Sequence, residues 1–252
     1  MIRTGRACVH AGLHVRYSPA AMSATVASPP TAASEPLRTG RLAPPAAQVH
    51  ETPFSFLVAT GVLDPDAREA LLADFPRYSG AGFFPYEDSD CGPSVRALVA
   101  ALNRREVADA LGAQIGLPQL GSHPTLVTLC RALNSRHGNV HTDSLSKIAT
   151  ALVYLEPEWP NGSAGALRFV ARADDVDSLV APEIPPVFGN FAIFRRADNS
   201  FHGHLPFEGQ RRVIQVAWLT SEEEKLRKTR RGRFSRFIKR IVGALDRRWG
   251  RR

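Results

Sequence analysis

His141 and Asp143 stand two residues apart, and "SKIATALVYL" (146–155), which follows them, has the apolar, β-branched texture of a buried strand. Successive side chains on a strand point to opposite faces, so His141 and Asp143 project the same way with Thr142 turned aside. The pair offers one imidazole nitrogen and one carboxylate oxygen to a common point. A second imidazole would complete the two-histidine, one-carboxylate set that holds Fe(II) on one face and leaves positions open for substrate and O2. "NSFHGHLPFEGQRRVIQVAWL" (199–219) offers two candidates, His202 and His204. A histidine and an aspartate two apart are weak evidence alone, so the remaining residues must decide between a site and an accident.

Arg212 bears on that decision. It opens a strand on which it shares a face with Ile214, Val216 and Trp218. A guanidinium at the head of an apolar face is costly unless an anion pairs with it. A dicarboxylate cosubstrate is such an anion, and the planar fork fits a carboxylate bidentately.

Five strand-like runs carry these residues: 124–133, 146–155, 165–171, 189–196 and 211–219, separated by Gly, Pro, Asn and Asp clusters. Upstream, 54–58 reads as a short strand. Asp64 then caps a helix with Pro65 at its first position and Ala67, Leu71, Leu72 and Phe75 as its stripe. Two more amphipathic helices are predicted near 94–102 and 104–115. Helices followed by many short strands imply an α+β fold, helices packed on an antiparallel sandwich or barrel. No helix-length segment lies between most strands, which excludes a parallel βαβ sheet, and neither a dinucleotide glycine fingerprint nor a phosphate-binding P-loop is present.

The charge is unevenly placed. The net charge is +8, yet residues 221–252 hold 13 Lys/Arg against 4 Asp/Glu, so the body is near neutral and the basicity belongs to the tail. Three cysteines, Cys8, Cys91 and Cys130, form no close pair, which argues against a disulfide framework or a cysteine zinc site and favours a reducing compartment. Cys130 is expected to be a core thiol. No apolar run reaches the length needed to cross a bilayer. Residues 1–50, rich in Ala, Pro, Ser and Thr, read as a disordered leader, or as an early start with Met22 the true one. The domain is expected over 51–220 and a basic tail over 221–252. In that tail Glu222, Glu223 and Glu224 suit a first helical turn, and Phe234, Phe237, Ile238, Ile241 and Leu245 form an apolar stripe. Such a helix suits an anionic membrane surface or a partner protein, or packs on its own sheet. Nucleic-acid binding lacks any groove-reading or stacking motif.

The order His141-Thr142-Asp143, a histidine about 60 residues on and an arginine about 10 later resembles the 2-oxoglutarate/Fe(II) dioxygenases, nearest their prolyl 4-hydroxylase-like branch. "YLEPEWPNGSAGALRF" is similar to that branch's Tyr-Leu-Asn-x-x-Trp…Gly-Gly-x-Leu-Arg segment. "SFHGHLPFEGQRR" is similar to its Ser-x-His-x-x-x-Pro…Arg segment, and "RVIQVAWL" to its terminal strand. The resemblance covers about 124–219 and implies a double-stranded β-helix, or jelly-roll, core with N-terminal helices packed on it. It implies His141, Asp143 and His202 as iron ligands, His202 being preferred over His204 because Pro206 follows it by four residues. It implies Arg212 as the partner of the distal 2-oxoglutarate carboxylate, with Arg211 its rival, and Tyr154 as a second contact to that carboxylate. His204 and Arg168 are candidate substrate-side residues, and Lys147 and Arg131 candidate entrance residues. Two positions depart from the family pattern: Ala164 replaces the first glycine of the Gly-Gly pair, and Ile214 stands where relatives have serine.

The implied activity is oxidative decarboxylation of 2-oxoglutarate to succinate, coupled to hydroxylation of a C–H bond. Fe(II), 2-oxoglutarate and O2 are required, with ascorbate a candidate reductant. The substrate, a protein residue or a small molecule, has no signature in the sequence. The rival expectation is a catalytically silent jelly-roll that binds a partner or membrane through its tail. A cytoplasmic location, peripheral at the membrane, fits the composition.

Overall fold

A computed structural model describes residues 35–232. The leader before residue 35, including Met22, and the apolar stripe from Phe234 to Leu245 lie outside the described residues.

Order begins earlier than expected. Leu37, Leu42 and Ala47 are buried, Arg104 pairs with Glu35, and strand β1 (Ala47–His50) pairs antiparallel with β2 (Phe56–Ala59). The leader reading therefore fails over 35–50. Its few apolar residues are scattered among prolines and alanines and show no period, and β1 is a four-residue strand at the sheet edge. Asp64 caps the next element as expected. Its carboxylate accepts from the Asp66 backbone N–H at 3.1 Å, and a single 3-10 turn with Pro65 leads into α1 (Arg68–Asp74). After β3 (Phe83–Pro85) come α2 (Pro93–Leu102) and α3 (Arg105–Gln114), within a residue or so of the predicted spans.

The remaining chain is all strand: β4 (Thr125–Leu133), β5 (Lys147–Tyr154), β6 (Arg168–Arg172), β7 (Asp175–Leu179), β8 (Phe191–Arg195), β9 (His202–Gly203) and β10 (Gly209–Leu219). Seven strands form one antiparallel sheet in the order β1-β2-β8-β5-β10-β4-β3, and three form a second, β7-β6-β9. Consecutive strands are repeatedly placed in different sheets, which is the winding of a jelly-roll.

The large sheet is buried on both faces. On β5, Ala149, Ala151 and Val153, with Leu155 just beyond it, join Leu71, Val95, Leu98 and Leu111 of the helices, whereas Leu152 and Tyr154 join Phe169 of the small sheet. β10 divides the same way, with Ile214, Val216 and Trp218 on the helix side and Val213 between the sheets. Two apolar faces on one strand remove the polar alternation by which inward and outward positions are usually read.

The last described residues, 222–232, are helical. Ser221 caps them by accepting from the Glu224 N–H at 3.3 Å, and the three glutamates occupy the first turn as expected. No described helix is long and apolar enough to cross a membrane.

Candidate active site

His141 and His202 meet as cross-strand neighbours. Each donates its backbone N–H to the other's carbonyl at 3.0 Å, an isolated antiparallel bridge beside β9. Their rings lie 4.5 Å apart, centroid to centroid. Asp143 follows in the turn ahead of β5. The pair therefore spans the two sheets, His141 bridged to β9 of the small sheet and Asp143 held by Lys147 and Thr150 of β5 in the large one. One ligand atom each from His141, Asp143 and His202 falls within 4.8 Å of the others, the only such cluster of metal-competent side chains among the described residues.

The surroundings prepare all three groups for a cation. The Nδ1–H of His141 donates to the Asn139 carbonyl at 2.8 Å, and that of His202 to the Ser200 carbonyl at 2.9 Å. Both rings thereby turn Nε2, with its lone pair, toward the common point. Burial pushes the His202 pKa down to about 4, so its imidazole is neutral and able to ligate. Burial alone would raise Asp143. The Lys147 ammonium and His202 beside it, with hydrogen bonds from Lys147 and Thr150, overcome that and hold its carboxyl below the usual range. Thr150 Oγ1 donates to Asp143 Oδ2 and Lys147 Nζ to Oδ1, each at 2.6 Å.

Two glycines make the close approach possible. A Cβ on Gly203 would lie 2.7 Å from the Gly138 carbonyl, and one on Gly138, at φ +97°, would meet the His204 ring within 2.1 Å. The loop carrying His141 can therefore lie flush on β9.

A cavity of about 240 Å3 opens beside the triad. Thr150 and Leu152 of β5, Phe194 of β8, Arg211 and Gln215 of β10, Lys147 and His204 line it. Arg211, only 3% exposed, is the decisive group. Its Nε donates to the Gly165 carbonyl at 2.7 Å, and its Nη2 donates to the Tyr154 hydroxyl at 3.4 Å. Its guanidinium lies 5.2 Å from the centre of the Tyr154 ring. Among the described residues no carboxylate pairs with it. A buried guanidinium with no protein counter-charge, opening on a cavity beside three metal-competent groups, suits the carboxylate of an anionic cosubstrate. Gly165, at φ +75°, has Trp159 and Phe207 packed where a Cβ would stand, and these aromatic rings meet 4.7 Å apart.

Arg212 is placed elsewhere, which corrects the strand-face argument. It donates its N–H at 2.6 Å and its Nη1 at 3.0 Å to Glu156, which is itself buried. The anion that offsets Arg212 is thus one of the protein's own carboxylates. The face shared with Ile214, Val216 and Trp218 is the helix-covered one, so Ile214 does not face the cavity, and Val213 is the inward residue two beyond Arg211. β10 also carries a register irregularity against β4 between Gln210 and Val213, at the two arginines themselves.

The other candidates divide. Tyr154 is fully buried beneath Arg211, with its phenol pushed up by burial against the opposing pull of that guanidinium. His204 lines the cavity, its Nδ1–H donating to the Leu205 carbonyl at 2.7 Å, and burial, then Arg211, bring its pKa to about 4. Arg168 is not at the mouth. Phe169 beside it points between the sheets, so Arg168 points away and pairs with Glu183 at 3.0 Å and with Asp177. Arg131 likewise alternates with the inward Cys130 and reaches the Tyr78 carbonyl at 3.4 Å, away from the entrance. Lys147 does line the cavity. Sequence patterning does not single out Thr150 or Gln215. Their only signal was parity with Tyr154 along β5 and with Arg211 along β10.

Residues 128–220 match the family model described as the 2OG-Fe(II) oxygenase superfamily. A search of curated proteins found no match. Among solved structures, a Pseudomonas putida prolyl-4-hydroxylase is 17% identical, covering 72% of this chain and 97% of its own, with a TM-score of 0.49. A Trichoplax adhaerens prolyl hydroxylase solved with a hypoxia inducible factor peptide is 13% identical over 75% of this chain and 90% of its own, with a TM-score of 0.45. A viral collagen prolyl hydroxylase from Paramecium Bursaria Chlorella virus-1 is 16% identical over 65% and 94%, with a TM-score of 0.43. The matched family segment contains all three members of the His141, Asp143, His202 set. With that donor set it assigns Fe(II) as the metal and 2-oxoglutarate and O2 as the cosubstrates.

Proposed function

We propose that this 2-oxoglutarate/Fe(II) oxygenase-like chain is an active dioxygenase that hydroxylates a C–H bond of an organic substrate while converting 2-oxoglutarate to succinate. The observation that carries the reading is Arg211. A metal triad alone would serve a structural site, but a buried guanidinium without a protein anion, in the same cavity, calls for an anionic cosubstrate.

In this reading His141, Asp143 and His202 hold the iron, which supplies the oxygen activation when bound. The protein contributes position and a dry cavity. The hydrogen bonds to Asn139 and Ser200 fix both histidine tautomers, and Thr150 fixes the Asp143 carboxylate. Arg211, steadied by the Gly165 carbonyl and the Tyr154 phenol, receives the distal carboxylate of the keto acid. Leu152, Leu167 and Phe194 exclude water around the reacting centre.

Purified protein supplied with Fe(II), 2-oxoglutarate and O2 should release succinate even without its substrate, through uncoupled turnover. His141→Ala and Asp143→Ala should each abolish it. Absence of succinate from the wild type, together with absence of metal-dependent 2-oxoglutarate binding, would leave a jelly-roll binding module instead.

A further inference from the structure

Two ammonium groups lie close to the metal-competent cluster, on elements far apart in sequence. Lys147, at the start of β5, lines the cavity and spends its charge on Asp143 Oδ1. Lys228, on the C-terminal helix, donates to Ser144 Oγ at 3.0 Å, one residue beyond the metal-competent Asp143. The helix reaches this place because its inward face is polar. Glu224, Lys225, Lys228, Thr229 and Gly232 are its half-buried positions, while Leu226 is 58% exposed. Glu224 engages Ser146, and Gly232 packs on Pro85 of β3 so closely that a Cβ there would meet the ring at 2.4 Å. The helix thus runs from the turn after Asp143 to the far edge of the sheet. Burial and the neighbouring Lys147 charge hold Lys228 below the usual lysine range, a sign of like charges crowded together.

In the metal-free site Asp143 offsets Lys147, and among the described residues no carboxylate forms an ion pair with Arg211 or Lys228. When a divalent ion takes Asp143, that carboxylate no longer serves Lys147. The ion, Asp143, a dianionic keto acid and Arg211 would then cancel, leaving Lys147 and Lys228 without a carboxylate of their own. The other nearby cations are already offset, Arg196 by Asp198 at 2.7 Å and Arg227 by Glu224. Unpaired cations at a partly buried rim favour an anion. Resting on the dioxygenase reading above, we propose that the substrate carries an oxyanion group, and that Lys147 and Lys228 together seat it at the cavity mouth. Its apolar body would lie against Phe83, which lines the cavity and is 37% exposed. The C-terminal helix, on this account, contributes a specificity residue to the site.

The test is calorimetric. Zn(II) replaces iron so that no turnover occurs, and binding of Zn(II) and then of 2-oxoglutarate is measured first. Phenyl phosphate, phenylacetate and benzyl alcohol are then titrated into that loaded protein. Either or both anions should bind, and the neutral alcohol should bind at least about tenfold more weakly, the worth of one charge-assisted contact. In the metal-free protein, where Asp143 still holds Lys147, Lys147→Met should not weaken anion binding. Lys228→Met, which touches no metal ligand, should weaken anion binding by about tenfold while leaving Zn(II) and 2-oxoglutarate affinities unchanged, and Lys228→Arg should restore it. In the loaded protein Lys147→Met should do the same for the anion, whereas Arg172→Met, at the end of β6, should have no effect. If Zn(II) and 2-oxoglutarate bind but the alcohol binds as well as the anions, or Lys228→Met changes nothing, the anion seat is wrong and the dioxygenase reading stands. If Zn(II) and 2-oxoglutarate do not bind, that reading falls and the seat with it.

Discussion

His141 and His202 exchange two backbone hydrogen bonds, N to O at 3.0 Å in each direction, so a single antiparallel bridge sets the spacing of two metal-competent imidazoles 61 residues apart. Side chains directly opposite in such a pair share a face, which turns both imidazoles to one point. Gly203, next to His202, makes the bridge possible by leaving room for the Gly138 carbonyl. Gly203→Ala should therefore push the His141 loop off β9. Metal affinity should fall by roughly tenfold or more, as for other losses of support around a metal site, with a lower Tm in the metal-free protein. Calorimetric titration of Zn(II) and thermal unfolding check both effects, and an unchanged metal Kd would refute the cause.

Much of this site is legible from spacing. His141 and Asp143 do come together, though through a bridge at His141 and a turn at Asp143 and not along one strand; the second histidine lies in the only downstream segment that supplies one beside an arginine, and Asp64 announces its helix by a cap. What defeats the sequence is β10. Its outward face, Ile214, Val216 and Trp218, is as apolar as an interior because α1, α2 and α3 cover it. Apolarity then cannot say which arginine points inward, and Glu156, the true partner of Arg212, lies 56 residues away. The hydrogen-bonding of Lys147 and Thr150 to Asp143 was equally hidden, since it depends on the turn at 144–146 folding back toward β5. The buried residues between 35 and 50 escaped because Leu37, Leu42 and Ala47 follow neither a helical nor a strand period.

The two neighbouring arginines should separate cleanly by mutation. Arg211→Met removes the cavity's buried cation and should weaken 2-oxoglutarate binding on the order of 100-fold, leaving metal affinity near wild type. Arg212→Met strands the Glu156 carboxylate, which is 5% exposed, and should cost roughly 3 kcal/mol of stability while changing 2-oxoglutarate affinity by no more than a few-fold. Denaturant unfolding and cosubstrate titration of the metal-loaded variants decide the matter. The reverse pattern would return the cosubstrate to Arg212.

Thr150 offers a finer test of how Asp143 is held. Its hydroxyl donates to Oδ2 at 2.6 Å within the buried part of the site, while Lys147 holds Oδ1, the oxygen that a cation would compete for. Thr150→Val keeps the shape and deletes the donor. Metal affinity should fall roughly tenfold, while Thr150→Ser should retain most of it. If Thr150→Val binds metal as wild type does, the carboxylate is oriented by the metal and not by its neighbour.

Acid should unfold the metal-free protein through its buried imidazoles. His202 and His204 have their pKa values brought down to about 4, in each case chiefly by burial, while an unfolded histidine titrates near 6.5. Between those values the unfolded chain binds protons that the folded chain refuses, so stability increases with pH there and is lost as pH falls from about 6.5 toward 4. His204→Asn, which cannot take up a proton, should flatten this dependence by one proton's share without touching the triad. Metal loading should steepen resistance further, because a bound cation and a proton compete for the same Nε2 of His202. Thermal unfolding of metal-free wild type and His204→Asn across pH 4 to 8 reads the difference. Parallel curves for the two proteins would mean that His204 is protonated in the folded state, and that the cavity beside Arg211 is wetter than its lining indicates.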